Sequence, residues 1–237
     1  MSIEEINATT FGEFASKHVL KNFFQTKEYG ELMSHSDFSV MYIGAYHKDI
    51  LVAASLILYK TLSANIKYGY APRGFLVDFY NNDLLKAFTR KVKDFFFKRG
   101  FAFIKINPEI TYSVIDFDNK SKIINSRNRD LIANLKELGY DKLKDNLYFE
   151  SLLPKYTPVI YLPTYDFNNL DKSLVKNVHD SELKGIRLVS RGEEELDKFY
   201  SFVEDKKNKT LTYYKYFYKT FKKSDMVDLL FAEVNYD

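Results

Sequence analysis

The chain has 237 residues, 46% hydrophobic and 17% aromatic, which is enough to bury a sizeable core and excludes a disordered segment. A formal net charge of only +3 leaves any anionic partner to local clusters, and the absence of Cys excludes disulfides, thiolate zinc sites and a cysteine nucleophile. No apolar run reaches the roughly 18–20 residues of a membrane-spanning helix, and MSIEEINATT carries two glutamates where a signal peptide wants positive charge, so a cytoplasmic setting is the default expectation.

In chain order, Thr10 to Glu13 reads as a capping box opening a helix over 10–20, and a second helix is expected over 26–33. Two helical pieces therefore precede the sheet. Residues 38–46 and 51–60 are rich in β-branched and apolar side chains, with a hairpin loop at 47–49, and 65–70 adds a third antiparallel strand. Over 82–98, Leu84, Leu85, Phe88, Val92, Phe95 and Phe96 recur near 3.6-residue spacing, with Gly100 where a C-terminal cap belongs. A strand over 101–106, a helix over 127–138 and a strand over 146–152 follow.

Pro154, Pro158 and Pro163 mark a change of element, so the expected domains are 1–153 and 154–237. Beyond the prolines the pattern predicts a strand over 159–162, a helix over 169–183 ended by Gly185, a strand over 186–189, helices over 193–204 and 213–221, and a strand over 226–234. This portion repeats the opening plan of the first, and its last strand has no partner after it, so the second domain is expected to be incomplete. The element order is that of a GNAT-type acyltransferase domain: α+β, with a mixed, mainly antiparallel sheet flanked by helices.

Two stretches place polar groups where an apolar strand meets a loop. In YAPRGFLVD, Arg73 stands between Pro72, which presets a backbone angle, and Gly74, which permits close approach or positive φ. Arg73 reads either as an aimed side chain or as a strand-end arginine paired with a local carboxylate. In FAFIKINPEI, Lys105 and Asn107 lie where the strand is stopped by Pro108, which by itself is only a strand end. The histidines His18, His35, His47 and His179 lack a consistent carboxylate partner and read as surface residues, leaving no Ser-His-Asp constellation. No His-rich or carboxylate-rich spacing indicates a metal, and no Gly-rich phosphate loop indicates CoA.

Taken together, FFQTKEYGEL, YAPRGFLVDFYNNDLL, FIKINPEITYS, ANLKELGY, KNVHDSELKGIRL and EEELDKFYSFVED resemble the FemABX family of peptidoglycan aminoacyltransferases, in order and in spacing, over nearly all of the chain. The resemblance implies two GNAT-like domains that transfer an amino acid from aminoacyl-tRNA to the stem peptide of a cell-wall precursor, building interpeptide bridges without a CoA cofactor. It assigns Lys176, Lys209 and Tyr213 to precursor binding beside Arg73, Lys105 and Asn107. Lys209 stands where the family has an arginine, keeping charge but losing the bidentate fork. A lysine of some members aligns near Met33, so that contact is lost, which favours a lipid-linked over a nucleotide-linked acceptor.

Some members carry an aspartate where this chain has Asn107, and an amide cannot accept a proton usefully, so no catalytic base is assigned. Lysines interleaved with tyrosines, at 206–209 and 215–223, read either as a solvated helix face or as a surface for tRNA phosphates or for the inner face of the membrane. Rival expectations are aminoacyl transfer to another acceptor such as a lipid, and a non-catalytic scaffold that pairs with a related transferase.

Overall fold

In a computed structural model the chain forms two compact units, Met1–Lys142 and Leu143–Asp237. The structure describes residues 1–62, 65–116, 119–143, 157–159, 162–164, 166, 170–203 and 209–234. The strand expected over 146–152 and the loop holding Pro154 lie outside them.

The first unit begins with a strand, β1 (Ser2–Glu5), which the sequence pattern does not announce. It is a short edge strand carrying two glutamates, the polar composition that protects an open sheet edge, and its pairing with β2 (Ser39–His47) is carried by the backbone. Helix α1 (Ala8–Lys17) starts earlier than the Thr10 box suggests because Asn7 takes the cap: its side chain accepts from the Thr10 N–H at 2.8 Å. The helix stops at His18, which turns extended, and does not reach Leu20. Helix α2 (Lys27–Ser34) is capped by Thr26, whose hydroxyl accepts from Tyr29 N–H at 3.1 Å.

β2 pairs antiparallel with β3 (Ile50–Thr61), β3 with β4 (Lys67–Ala71), and β4 runs parallel to β5 (Phe101–Ile106), so spatial order follows chain order. A parallel pair needs a crossover, and α3 (Asn82–Phe97) supplies it. Asn81 caps its start, and Gly100, with φ +79, adopts the left-handed conformation needed to turn at once into β5. This mixed sheet with helices on both faces is the expected GNAT-like α+β arrangement.

Alternation along β3 divides the core. Ala53 and Ile57 pack with Leu85, Phe88, Val92, Phe95 and Phe96 of α3, whereas Ala54, Leu56 and Leu58 pack with Phe11 and Ala15 of α1 and Met33 of α2. Each large apolar side chain removed from water in these layers contributes about 1.5–3 kcal/mol. A hairpin, β6 (Ser113–Asp116) and β7 (Ser121–Ile124), precedes α4 (Ser126–Glu137) and was not expected. Its apolar residues are exposed, so no burial alternation betrays it. Lys93 of α3 donates to the Leu138 and Gly139 carbonyls at 2.9 and 3.2 Å, satisfying free acceptors at the end of α4.

In the second unit, Val159 carries no regular structure and Leu162 opens a one-turn helix, Leu162–Thr164, so the strand expected over 159–162 is not found at its described positions. The local reason is Pro163, which fixes φ and lacks an N–H for a ladder. Then follow α5 (Lys172–Leu183), β8 (Ile186–Arg191), α6 (Leu196–Val203), α7 (Leu211–Lys222) and β9 (Leu229–Val234). β9 pairs antiparallel with β8, and Arg191 clamps Glu233 across them through two bonds of 3.1 and 2.6 Å. Leu196, Tyr218, Leu229 and Phe231 form the small core.

Two phenylalanines of α3 test the layer assignment. Phe88→Ala should cost about 3–5 kcal/mol in urea unfolding. Phe97, 82% exposed on the same helix, should tolerate Ala within about 0.5 kcal/mol.

Candidate functional site

The end of the parallel pair is where the first unit concentrates polar groups. Register pairs Tyr70 with Lys105, so both point to one face, while Ala71 and Ile106 point to the other and pack into the α3 core. After Ala71 the strand cannot continue, because Pro72 has no N–H to offer a ladder. The chain turns, with Gly74 N–H returning to the Ala71 carbonyl at 3.1 Å. Leu76 then exchanges two backbone bonds with Ala54, at 3.0 and 3.1 Å.

Arg73 sits at the apex with φ +54. It is thus Arg73, and not Gly74, that occupies the left-handed region, at a cost of roughly 1–2 kcal/mol for a residue with a Cβ. Gly74 serves close approach instead: a Cβ there would lie 2.7 Å from Ser55 Oγ and 3.0 Å from Gln25 Nε2.

Three side-chain amides hold the turn. Gln25, 1% exposed, donates from Nε2 to the carbonyls of Pro72 at 2.7 Å and Leu56 at 3.2 Å. Its Oε1 accepts from Leu56 N–H at 2.9 Å and from the Ser55 hydroxyl at 3.2 Å. Asn22 Nδ2 donates to the Arg73 carbonyl at 3.4 Å, and Asn107 Oδ1 accepts from Arg73 N–H at 2.9 Å. At about 0.5–1.5 kcal/mol net for each bond, the set outweighs the strain of the left-handed residue.

The guanidinium that this turn presents has no carboxylate in ion-pair range among the described residues. The strand-end ion pair that the sequence left open is therefore not formed with any described carboxylate. Arg73, Lys105, Asn107 and Tyr70 come together on one face of one strand end. Burial pushes the Tyr70 hydroxyl above its ordinary range, opposed by the hydrogen bond to Asn107 and the Arg73 charge, so it is a donor at neutral pH. Beside them Tyr68 and Phe103 stack, with ring centroids 5.9 Å apart, and Phe103 is exposed.

Met33, where some members of the resembling family carry a lysine, is a core residue of the α1–α2 layer. His18 is not the surface residue expected: it is half-buried and feels the Asp78 carboxylate. Its Nδ1 accepts from Leu20 N–H at 3.1 Å, so the neutral ring carries its proton on Nε2 and has no free lone pair for base chemistry.

In the second unit, Lys209 lies 4.8 Å over the Tyr213 ring, and both line a cleft of about 550 Å³ with Leu196, Phe199, Tyr214 and Phe217. Burial, then Tyr214, raises the Tyr213 pKa. Lys176 is exposed on α5 and is not among the cleft-lining residues. Of the lysines on α7, Lys215 pairs with Asp197 at 2.9 Å and Lys222 with Asp228 at 3.3 Å. These exposed pairs are worth little, but they partly neutralise the face. Among the described residues, no group of acidic or histidine side chains is arranged to hold a metal ion, and no helix is long and apolar enough to cross a membrane.

Sequence reasoning passed over Gln25, Asn22 and Tyr70 as functional residues. Gln25 and Tyr70 stood inside the quoted stretches FFQTKEYGEL and YAPRGFLVD, but only the fold shows that a buried amide on the early segment meets the turn after β4.

Comparison with known proteins adds the family. The FemAB family model matches residues 6–237. Aminoacyltransferase FemA of Staphylococcus aureus strain bovine RF122 / ET3-1 is 25% identical over 211 residues, covering 86% of this chain and 50% of the relative. FemA of strain MW2 gives the same identity and coverage. The chain thus spans about half the length of the curated relatives it matches. Among solved structures, the crystal structure of FemX superposes with a TM-score of 0.79 at 19% identity, covering 99% of this chain and 58% of that one, a likeness of fold.

His18 yields a pH prediction. Burial, partly opposed by Asp78, holds its folded pKa below the ordinary 6.5, so the unfolded chain binds the proton more tightly. The stability it contributes is present above pH 6.5 and is lost as pH falls through the folded value. Melting followed downward from neutral pH should fall more steeply in wild type than in His18→Phe, and parallel curves would refute the assignment.

Proposed function

The chain belongs to the FemAB family, and from that premise we propose that it takes part in aminoacyl transfer from aminoacyl-tRNA to the stem peptide of a peptidoglycan precursor, building interpeptide bridges. The observation that carries the proposal is the Arg73 guanidinium, without a carboxylate partner among the described residues and held on a rigid turn beside Lys105 and Tyr70. A cation so placed suits the anionic diphosphate of a muropeptide precursor, and a protonated tyrosine suits its sugar or peptide oxygens.

An aminoacyl ester is already activated, so attack by the stem-peptide amine needs orientation, loss of a proton from the ammonium and stabilisation of the developing oxyanion. No covalent enzyme intermediate is required. In this scheme Arg73 and Lys105 bind negative charge and Tyr70 donates a hydrogen bond. Asn107 orients the Arg73 backbone and takes no proton. Lys209 and Tyr213 supply a second contact, a lysine charge resting on an aromatic ring.

The proposal uses no CoA. It places the protein in the cytoplasm, with contact to the inner face of the membrane when the acceptor is lipid-linked. Lipid-linked precursor is the favoured acceptor, because Met33 is committed to the core where some members offer a lysine.

The test is transfer of radiolabelled amino acid from charged tRNA to lipid-linked and nucleotide-linked precursors. Arg73→Gly is the informative variant, since Gly accepts positive φ and keeps the turn while deleting the guanidinium. It should melt within a few degrees of wild type yet lose about tenfold or more in acceptor affinity, the scale of one charge-assisted contact. Wild-type protein that transfers to neither precursor would overturn the proposal.

A further inference from the structure

Gln25 is 1% exposed and hydrogen-bonded to the Arg73 turn, and it is connected more fully than a loop residue needs to be. Its Oε1 accepts from Leu56 N–H and the Ser55 hydroxyl of β3, and its Nε2 donates to the Leu56 carbonyl. The same Nε2 also reaches the carbonyl of Pro72 at 2.7 Å, the residue immediately before the left-handed Arg73. It lies in the one-turn helix Phe23–Gln25, which also brings Asn22 to the Arg73 carbonyl. Gly74 is packed against Ser55 and Gln25 so closely that a Cβ would not fit.

From this geometry we infer that Gln25 is a positioning residue for Arg73: its buried amide ties the turn to the central strand and thereby sets the direction of the guanidinium toward an anionic, diphosphate-linked muramyl peptide. The inference rests on the reading of Arg73 as an anion contact. A residue that only filled space would need no donor aimed at Pro72. The arrangement fixes the peptide planes on both sides of Arg73, with Asn107 on its N–H and Asn22 on its carbonyl. The side chain's first bond therefore leaves in a fixed direction, and the entropy of aiming a long cation is met before ligand arrives.

A double-mutant cycle tests this, with calorimetric affinity for UDP-linked muramyl pentapeptide measured on the whole chain and thermal unfolding recorded for every variant. Gln25→Met keeps length and removes the amide, and should weaken binding about tenfold. In an Arg73→Gly background the same change should weaken binding by less than about twofold, because its route to the ligand is gone, while still lowering the melting temperature. Asn22→Ser, which retains an acceptor for Phe24 N–H, is the milder variant should Gln25→Met not fold, and about threefold weaker binding is expected. A short-chain lipid-linked analogue run alongside separates a nucleotide carrier from a lipid one.

Equal losses in both backgrounds, or a folded Gln25→Met that binds like wild type, would overturn the positioning role. Wild type without affinity for either the nucleotide-linked or the lipid-linked ligand, or Arg73→Gly with unchanged affinity, would instead sink the anion-contact reading. The clamp is then judged by the crystal structure of Gln25→Met: Arg73 leaving the left-handed region is the expected result, and φ still near +54 refutes it.

Discussion

A buried primary amide has two donors and an acceptor with two lone pairs to satisfy, and leaving any of them unpaired costs about 1–3 kcal/mol. Gln25 meets that demand with four protein contacts, and they bind together segments far apart in sequence: the early loop, the middle of β3 and the turn after β4. The rest of the strand end is arranged around this requirement. Gly74 has no side chain because the Ser55 hydroxyl and the amide together occupy its space, Pro72 leaves a carbonyl free to receive the amide, and Arg73 takes the strained conformation between them. Phe75, Leu76 and Val77 then return to the core, so the turn is anchored by apolar burial as well as by polar bonds.

Core-facing elements with strong periodicity were legible in the sequence. The spacing of Phe88, Val92, Phe95 and Phe96 defines α3 because one face meets the sheet along its whole length. β1 and the β6–β7 hairpin were not legible, since an edge strand of Ser, Ile and Glu and an exposed hairpin bury no alternating face. Arg73 and Asn107 could be singled out from Pro and Gly neighbours and from a strand stop. Their direct bond could not, because it depends on β4 and β5 being parallel and in a register that no local pattern encodes.

The two units offer charge differently. At the end of β4 the cation has no carboxylate partner among the described residues, and its backbone is fixed on both sides. On α7, Lys215 and Lys222 are met by carboxylates of their own unit, and Lys209 rests on an aromatic face. A solvated lysine with a nearby carboxylate gains little from a further anion, since it must exchange one partner for another. Arg73 has no such partner among the described residues to give up, which is why the first unit carries the stronger argument for the proposed precursor binding.

That contrast explains what an amide at position 107 achieves. A carboxylate there would also accept the Arg73 N–H, but it would add a negative charge next to the same residue's guanidinium. At about 4 Å such a pair attracts by roughly 1 kcal/mol in water and about 4 kcal/mol near a protein surface, enough to draw the side chain back onto the protein. Asparagine holds the backbone without competing for the cation. A strand end can therefore present either a carboxylate or a free arginine at this spot, but not both at full strength. With no described carboxylate on Arg73, the arginine suits the negative charge of the proposed substrate, and in the proposed reaction the proton of the attacking amine goes to a group other than residue 107.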